Sequence, residues 1–182
     1  SMPEWEHSPN VKILEGRMLI EGDGFAFHGG AWSDGIYTFQ FRWDGDGAVA
    51  FHYQASDEGG YMVHLSGEGV QLLRDRSGNI TDLAENPTNV PRGVWVQIRV
   101  HKSGDLHAVF LNEKLVIEGI YPDELPPGGV LLRVEGDAFG YFEDLVVKPE
   151  EDQLYGGEPV QIPQPEGASP SRLPISELKW ER

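Results

Sequence analysis

The stretch that decides the fold is WVQIRVHKSGDLHAVFLN, residues 95–112, in which apolar and polar side chains alternate before and after a turn. Val96, Ile98 and Val100 share one face of an extended strand, because successive side chains of a strand point to opposite sides of the sheet. We expect Ser103-Gly104 to form a two-residue hairpin loop. The segment therefore predicts a β-hairpin with one apolar face and one polar face.

The position of this loop sets the side chains that lie opposite each other. The expected cross-strand pairs are His101 with Leu106, Arg99 with Ala108, Gln97 with Phe110, and Trp95 with Asn112. A shift of the register by one residue would mix the apolar and polar sets, which favours this register. We predict that the aliphatic face is the core between two sheets, and that Trp95, Gln97 and Arg99 lie on the outer face of their sheet.

The chain from Val11 to Val147 consists of short extended runs separated by turn residues. The sequence Asp44-Gly45-Asp46-Gly47 between two such runs is a strong hairpin signal, so we expect a hairpin turn there. About twelve strands at intervals of roughly 8–12 residues, with no convincing amphipathic helix, are typical of an all-β sandwich or barrel.

The length of 182 residues suits one domain with an additional tail. We assign residues 1–9 to an N-terminal extension that begins with Ser-Met, a pattern typical of a protease-cleavage scar, and residues 10–148 to the β domain. Residues 149–182 are acidic and Pro-rich, as in a linker or a strap across the sandwich. Leu173, Leu178 and Trp180 either dock on the domain or belong to a disordered tail.

The net charge of −16 bears on the partners of the chain. It argues against nucleic acid and anionic membrane surfaces, because phosphate contacts need clustered Lys and Arg. Uncharged polysaccharide or cations suit it better. The chain has no Cys, which excludes disulfides and thiolate metal sites. No apolar run approaches the roughly 18–20 residues needed to span a bilayer, so we expect no membrane insertion.

Four segments, in this order, resemble the concanavalin A-like lectin/glucanase superfamily. They are FHYQ…GYMVHL, GVWVQIRVHKSGDLHAVFLNEKLV, PPGGVLLRVEG and YFEDLVV. Within the superfamily, residues 10–148 are most similar to laminin-G-like domains and to the 3-keto-disaccharide hydrolase-like domains of bacteria. The resemblance implies a jelly-roll sandwich of two curved antiparallel sheets, with sugars bound on the concave sheet or at loops along one edge.

The same resemblance implies a structural Ca²⁺ near the closing strand, where Asp144 matches the acidic position of the family. The chain has Glu143 where the family often has Asp. From the residues alone, Asp144 could equally cap a turn or pair with Arg133. Calcium at Asp144 is therefore an expectation of the resemblance.

Polar and aromatic side chains on strands suggest a ligand groove, because pyranose rings stack on aromatic faces while planar polar groups bind hydroxyls. The predicted members of this groove are His52, Tyr61, Arg74, Trp95, Gln97 and Arg99. Alternatively, Trp95 lies under a loop, and the arginines form ion pairs with the many acids. His52 and His64 could hold a transition metal if they share a face, but no third ligand is spaced with them.

Hydrolysis by a retaining glycosidase needs two carboxylates about 5 Å apart. The glucanases of the superfamily carry a Glu-x-Asp-x-Glu-like strand, and the chain has none. Its acids cluster in turns instead, so we do not expect this chemistry. The resemblance to 3-keto-disaccharide hydrolases keeps another enzymatic role open, without assigning catalytic residues.

We therefore expect a non-catalytic carbohydrate-binding or cell-surface recognition module of a larger exported bacterial protein, located outside the cell or at its surface. Its expected partners are a polysaccharide or oligosaccharide and other domains of the same chain. The alternatives are an enzyme that acts on 3-keto-disaccharides and a protein–protein interaction domain.

Overall fold

The computed structural model describes residues 5–122 and 125–150, together with the backbone of residues 171–172. The prediction of an all-β domain is confirmed, with thirteen strands among these residues. They are β1 (Trp5–His7), β2 (Val11–Leu14), β3 (Arg17–Glu21), β4 (Gly24–Trp32), β5 (Gly35–Ser56), β6 (Gly59–Ser66), β7 (Gly69–Arg76), β8 (Asn79–Asn86), β9 (Val96–Ser103), β10 (Leu106–Leu111), β11 (Lys114–Ile120), β12 (Gly128–Pro149) and β13 (Ser171–Arg172). Among the described residues, no helix is long and apolar enough to cross a bilayer.

Two long strands, β5 and β12, organise the fold. They pair with each other in antiparallel fashion from Gly35 opposite Pro149 to Ala55 opposite Gly129. The first half of β5 also pairs with β9, and its second half pairs with β6. The first half of β12 pairs with β4, and its second half pairs with β3. Each long strand therefore belongs to two sheets.

The first sheet has the strand order β1-β4-β12-β5-β6-β7-β8. The second sheet runs β2-β3-β12-β5-β9-β10-β11, and β13 pairs with β12 at Val146 and Val147. All of these pairings are antiparallel. This arrangement confirms the jelly-roll sandwich that the resemblance implied.

The core lies between the two sheets. The ring centroids of Phe39 and Phe51 are 4.9 Å apart. A straight strand would separate these two positions by about 40 Å, so β5 folds over and its halves face each other. Val96, Ile98 and Val100 are at most 1% exposed. The predicted core face of the hairpin is therefore confirmed.

The predicted register of that hairpin is wrong by two residues. The loop is Gly104-Asp105, so that Ser103 pairs with Leu106 and Arg99 pairs with Phe110. Because the side-chain period of a strand is two, this shift leaves every residue on its predicted face.

The predicted hairpin turn at Asp44–Gly47 is also wrong. These residues lie inside β5 and pair with Gly136–Phe139 of β12, at the point where both strands pass from one sheet to the other. Gly45 has a φ of 99°, and a Cβ atom on Gly47 would overlap the carbonyl oxygen of Glu135. Glycines that suit a turn also suit a bend with close backbone approach, which is what they form here.

Candidate functional site

The six residues predicted to line one groove lie on three different surfaces. Trp95, Gln97 and Arg99 are half-buried on the outer face of the second sheet. The other three belong to the first sheet, where His52 is on the outer side and Tyr61 and Arg74 are on the inner side. The six side chains therefore do not form a single groove.

Tyr61 is fully buried in the core. Its ring stacks on Tyr53 at 5.4 Å and lies 4.5 Å from the ring of His107. Tyr61 pairs with Tyr53, whereas His52 pairs with the next residue, Met62. Alternation along the strands thus places His52 and Tyr61 on opposite sides of the sheet.

Three side chains on the outer face of the first sheet form a connected group, here called the polar cluster: His64, Arg133 and Glu135. His64 and Arg133 are both neighbours of Ala50 in the ladder, and its small side chain leaves space above it. The Nε2 atom of His64 is 3.0 Å from Oε2 of Glu135. Nη2 of Arg133 is 2.6 Å from the other oxygen, Oε1. Glu135 therefore joins an imidazole to a guanidinium.

The polar cluster is partly accessible to solvent. The side chain of His64 is 22% exposed, and those of Arg133 and Glu135 are 35% and 34% exposed. Nη2 of Arg133 is also 3.1 Å from the sulfur of the buried Met62. A depression of about 590 Å³ opens beside His64 and Glu135. A small molecule can therefore reach the cluster from outside the sandwich.

His52 lies on the same face, within reach of the charges of the polar cluster. Burial, together with the nearby charges of Arg133 and His64, lowers the pKa of His52 to about 3. Its Nε2 atom is buried and has no hydrogen-bond partner in the part of the chain that the structure describes. His52 is therefore a neutral imidazole at neutral pH.

His52 and His64 share a face, the condition for a metal site that the sequence left open. Within residues 5–122 and 125–150, however, no group of three or more His, Cys, Asp or Glu side chains could hold a metal ion. Asp144 is exposed and has a φ of 55°, at an irregularity of the β5–β12 ladder. The neighbouring Glu143 accepts a hydrogen bond from Nε of Arg17 at 2.8 Å. Calcium at Asp144 stays a prediction.

The outer face of the second sheet carries a groove of about 640 Å³, here called the aromatic groove. It is lined by Ile13, Leu14, Glu15, Arg17, Arg42, Trp95, Phe139 and Tyr141. The guanidinium of Arg17 lies 5.1 Å from the centre of the Trp95 ring. Farther along this face, Arg99 lies 3.9 Å over the ring of Phe110 and forms an ion pair with Glu113 at 3.0 Å. Trp95 thus lines an open surface, whereas Arg99 is engaged by its neighbours.

Residues 1–148 match the model of the 3-keto-alpha-glucoside-1,2-lyase-like domain family. The chain belongs to this family. The match spans the whole predicted β domain, and it confirms the resemblance to the 3-keto-disaccharide hydrolase-like domains. No curated protein matches the chain.

Solved structures agree on the fold. The carbohydrate-binding module CBM66 from Bacillus subtilis is 20% identical with a TM-score of 0.65, covering 79% of this chain and 94% of its own. The β-glucanase of Bacillus licheniformis is 10% identical with a TM-score of 0.63, covering 76% and 88%. LamAcat from Zobellia galactanivorans is 12% identical with a TM-score of 0.58, covering 78% and 91%. At such identities these likenesses show the fold alone.

Glu135 was not among the residues predicted from the sequence. Its partner His64 is distant in the chain, and only the pairing of β12 and β6 with opposite edges of β5 brings the two together. One local signal was present, because Arg133 and Glu135 are two residues apart and so share a face of their strand. The spacing RxE in VLLRVEG could have marked that face as polar.

Proposed function

We propose that this chain is a carbohydrate-binding domain whose ligand lies on the outer face of the first sheet, against the polar cluster. The observation that carries the proposal is the contact of Glu135 with both His64 and Arg133, which sets planar donors and acceptors side by side. Sugar hydroxyls both donate and accept hydrogen bonds, so they match such a row. Binding sites for small molecules typically combine a few such polar groups with apolar surface.

The surrounding face supplies that apolar surface. Phe25 and Phe27 of β4 are the ladder neighbours of Arg133 and Leu131 in β12, and Phe25 is 39% exposed. An exposed aromatic ring next to hydrogen-bonding groups suits the C–H face of a pyranose. With a net charge of −16, the chain favours a neutral polysaccharide or oligosaccharide over an acidic one.

Membership of the 3-keto-alpha-glucoside-1,2-lyase-like family supports a saccharide ligand. The likeness in fold to a carbohydrate-binding module supports a recognition role. In this proposal the domain is a module of a larger bacterial protein that acts outside the cell or at its surface, and other domains of the same protein are its neighbours.

A glycan array followed by calorimetric titration tests the binding role. We expect Glu135→Gln and Arg133→Met to weaken saccharide binding at least tenfold, because each removes a charged group of the polar cluster. His101→Gln is the matched control, since His101 is half-buried on the outer face of the second sheet. Unchanged affinity of both cluster variants for every glycan bound by the wild type would refute this site.

The contact between His64 and Glu135 favours a second candidate function, elimination from a 3-keto-α-glucoside. When Nε2–H of His64 donates to Glu135, Nδ1 keeps its lone pair and can act as a general base. The keto group at C3 acidifies the hydrogen on C2. Nδ1 takes this proton, and the C2–H electron pair forms a C2=C3 enolate with its negative charge on the C3 oxygen. When the C3 carbonyl forms again, the electron pair moves to a C1=C2 double bond and the bond from C1 to the leaving oxygen breaks. Water protonates the leaving alkoxide.

Arg133 would stabilise the enolate oxygen that develops at C3 in this reaction. Release of p-nitrophenol from p-nitrophenyl 3-keto-α-glucoside is the direct measurement. We expect His64→Gln to lose at least 100-fold in rate, while His101→Gln keeps the wild-type rate. Saccharide binding without any such release would leave the binding role and remove the enzymatic one.

A further inference from the structure

The aromatic groove lies on the opposite side of the sandwich from the polar cluster and has its own set of polar side chains. Arg42 in β5 pairs with Tyr141 in β12. Phe41 pairs with Val96, so the preceding residue of the hairpin, Trp95, lies next to Arg42. A guanidinium from β5, a phenol from β12 and the indole that directly precedes β9 therefore meet in one groove.

The polar atoms of these three side chains have no partner in the described domain. The guanidinium of Arg42, the indole nitrogen of Trp95 and the hydroxyl of Tyr141 form no hydrogen bond or ion pair with residues 5–122 or 125–150. Arg17 differs, because its Nε atom donates to Glu143 at 2.8 Å. Surface polar groups without protein partners keep their hydrogen-bonding capacity for water or a ligand.

The ring of Trp95 is held in place by its surroundings. The guanidinium of Arg17 lies 5.1 Å from the ring centre, and Glu143 fixes that guanidinium in turn. The rings of Phe139 and Tyr141 also line the groove. Their centroids are 6.0 Å apart and their planes are nearly perpendicular. A binding surface with ordered aromatic rings loses less conformational entropy when a ligand binds.

The charges of the groove identify the class of ligand. Arg17 and Arg42 are offset by Glu15, which lines the groove, and by Glu143 beside it. A groove without net charge on a chain of net charge −16 disfavours polyanions and has no excess charge to attract cations. Aromatic rings combined with free donors suit uncharged hydroxylated rings.

We propose that the aromatic groove is a second saccharide site, which binds a neutral oligosaccharide of hexopyranose units by stacking on Trp95 and hydrogen bonding to Arg42 and Tyr141. Its volume of about 640 Å³ lies within the range of small-molecule sites. The site is independent of the polar cluster, because no residue is shared between them.

The test is calorimetric titration of the full chain with laminaripentaose, cellopentaose and maltopentaose, and with polygalacturonate as the acidic comparison. We expect Trp95→Ala and Arg42→Met each to weaken binding of one neutral pentasaccharide at least fivefold. His101→Gln, on the same outer face but outside the groove, leaves that affinity unchanged. Val94→Ala, an exposed neighbour of Trp95, is the control.

The outcomes separate the two sites. Loss of binding in the groove variants but not in His101→Gln supports the second site, even if the first sheet binds nothing. Wild-type affinity in both groove variants overturns it, as does tighter binding of polygalacturonate than of the neutral probes. If Trp95→Ala does not fold, Arg42→Met decides, since that side chain is exposed and unengaged.

Discussion

The two outer faces of the sandwich differ in how their polar side chains are engaged. On the first sheet, Arg133, Glu135 and His64 contact one another. On the second sheet, the guanidinium of Arg42 and the indole nitrogen of Trp95 form no hydrogen bond or ion pair with the residues that the structure describes. The first face therefore carries a connected cluster of three charged or polar side chains, whereas Arg42 and the indole nitrogen of Trp95 keep open hydrogen-bonding positions on the second.

This difference arises within the same two strands. Arg133 and Tyr141 both face outward from β12, on either side of its bend. Their partners in β5, Ala50 and Arg42, likewise face outward on either side of the bend of that strand. A strand that passes through two sheets presents one chemistry before the bend and another after it. The location of the bend, rather than the identity of the strand, therefore determines the face on which a residue lies.

The largest effect is expected at the bend that separates the two faces. Gly47→Ala places a Cβ atom against the carbonyl oxygen of Glu135, so we expect a loss of about 3 kcal/mol in the free energy of unfolding. Gly104→Ala is the control, because its φ of 57° is unfavourable for Ala but no atom lies within 4 Å of the new Cβ. That change should cost only about 1 kcal/mol. Urea denaturation of both variants measures the difference, and equal losses would contradict the importance of the bend.

His52 makes the stability of the first face depend on pH. Its pKa is about 3 in the folded chain and about 6.5 when unfolded, so between these values the unfolded state binds more protons. The contribution of His52 to the free energy of unfolding is therefore fully present above pH 6.5 and declines as the pH falls towards 3. Between pH 7 and pH 5 the loss amounts to about 2 kcal/mol.

Comparison with His52→Gln isolates this contribution, because the other titrating groups remain. Burial lowers the pKa of His28 as well, and His28 contributes with the same sign in both proteins. We expect the wild type to lose about 2 kcal/mol more than the variant between pH 7 and pH 5. Parallel stability curves for the two proteins would show that His52 is not a buried neutral group.

The contrast between engaged and open arginines predicts a smaller difference in stability. Arg133→Met breaks an ion pair that is about one-third exposed, and we expect it to cost about 1 kcal/mol. Arg42→Met removes no ion pair and should change the free energy of unfolding by less than about 0.5 kcal/mol. Thermal and chemical denaturation of the two variants compares them directly. Equal costs would remove the distinction between the two faces.

The smallest effect is the coupling within the polar cluster. A double-mutant cycle of His64→Gln and Glu135→Gln is expected to give a coupling energy of about 0.5 kcal/mol, since both side chains are partly exposed. The coupling should decrease in 1 M salt, because salt screens exposed charges. A coupling energy that does not respond to salt would assign the contact to hydrogen bonding rather than to the attraction of opposite charges.

The fold class and the faces of the hairpin could be predicted from the sequence because they depend on local alternation. Val96, Ile98 and Val100 repeat with a period of two, and this period survives an error of two residues in the register. The chain bend at Gly45 and Gly47 could not be predicted locally, since a glycine-rich turn and a bend between long strands need the same residues.

The candidate sites depend on pairing between distant strands, and for this reason the sequence identified them only in part. His52 and Trp95 were picked out by residue type, but they lie on opposite sides of the molecule. Tyr61 is in the core, because the residues between β5 and β6 set a register that alternation alone does not determine. Glu135 lies next to His64 because β12 and β6 both pair with β5, and no local pattern in the sequence predicts this pairing.

The long ladder between β5 and β12 also has a consequence for how fast the chain folds. It joins Gly35 to Pro149 and Ala55 to Gly129, so its contacts link positions near opposite ends of the domain. Closing such large loops costs entropy before the pairing stabilises the chain, and folding slows as the average sequence separation of contacts grows. Neither sheet is complete until this ladder has formed. The domain should therefore fold slowly and as one cooperative unit, without a stable intermediate that contains a single sheet.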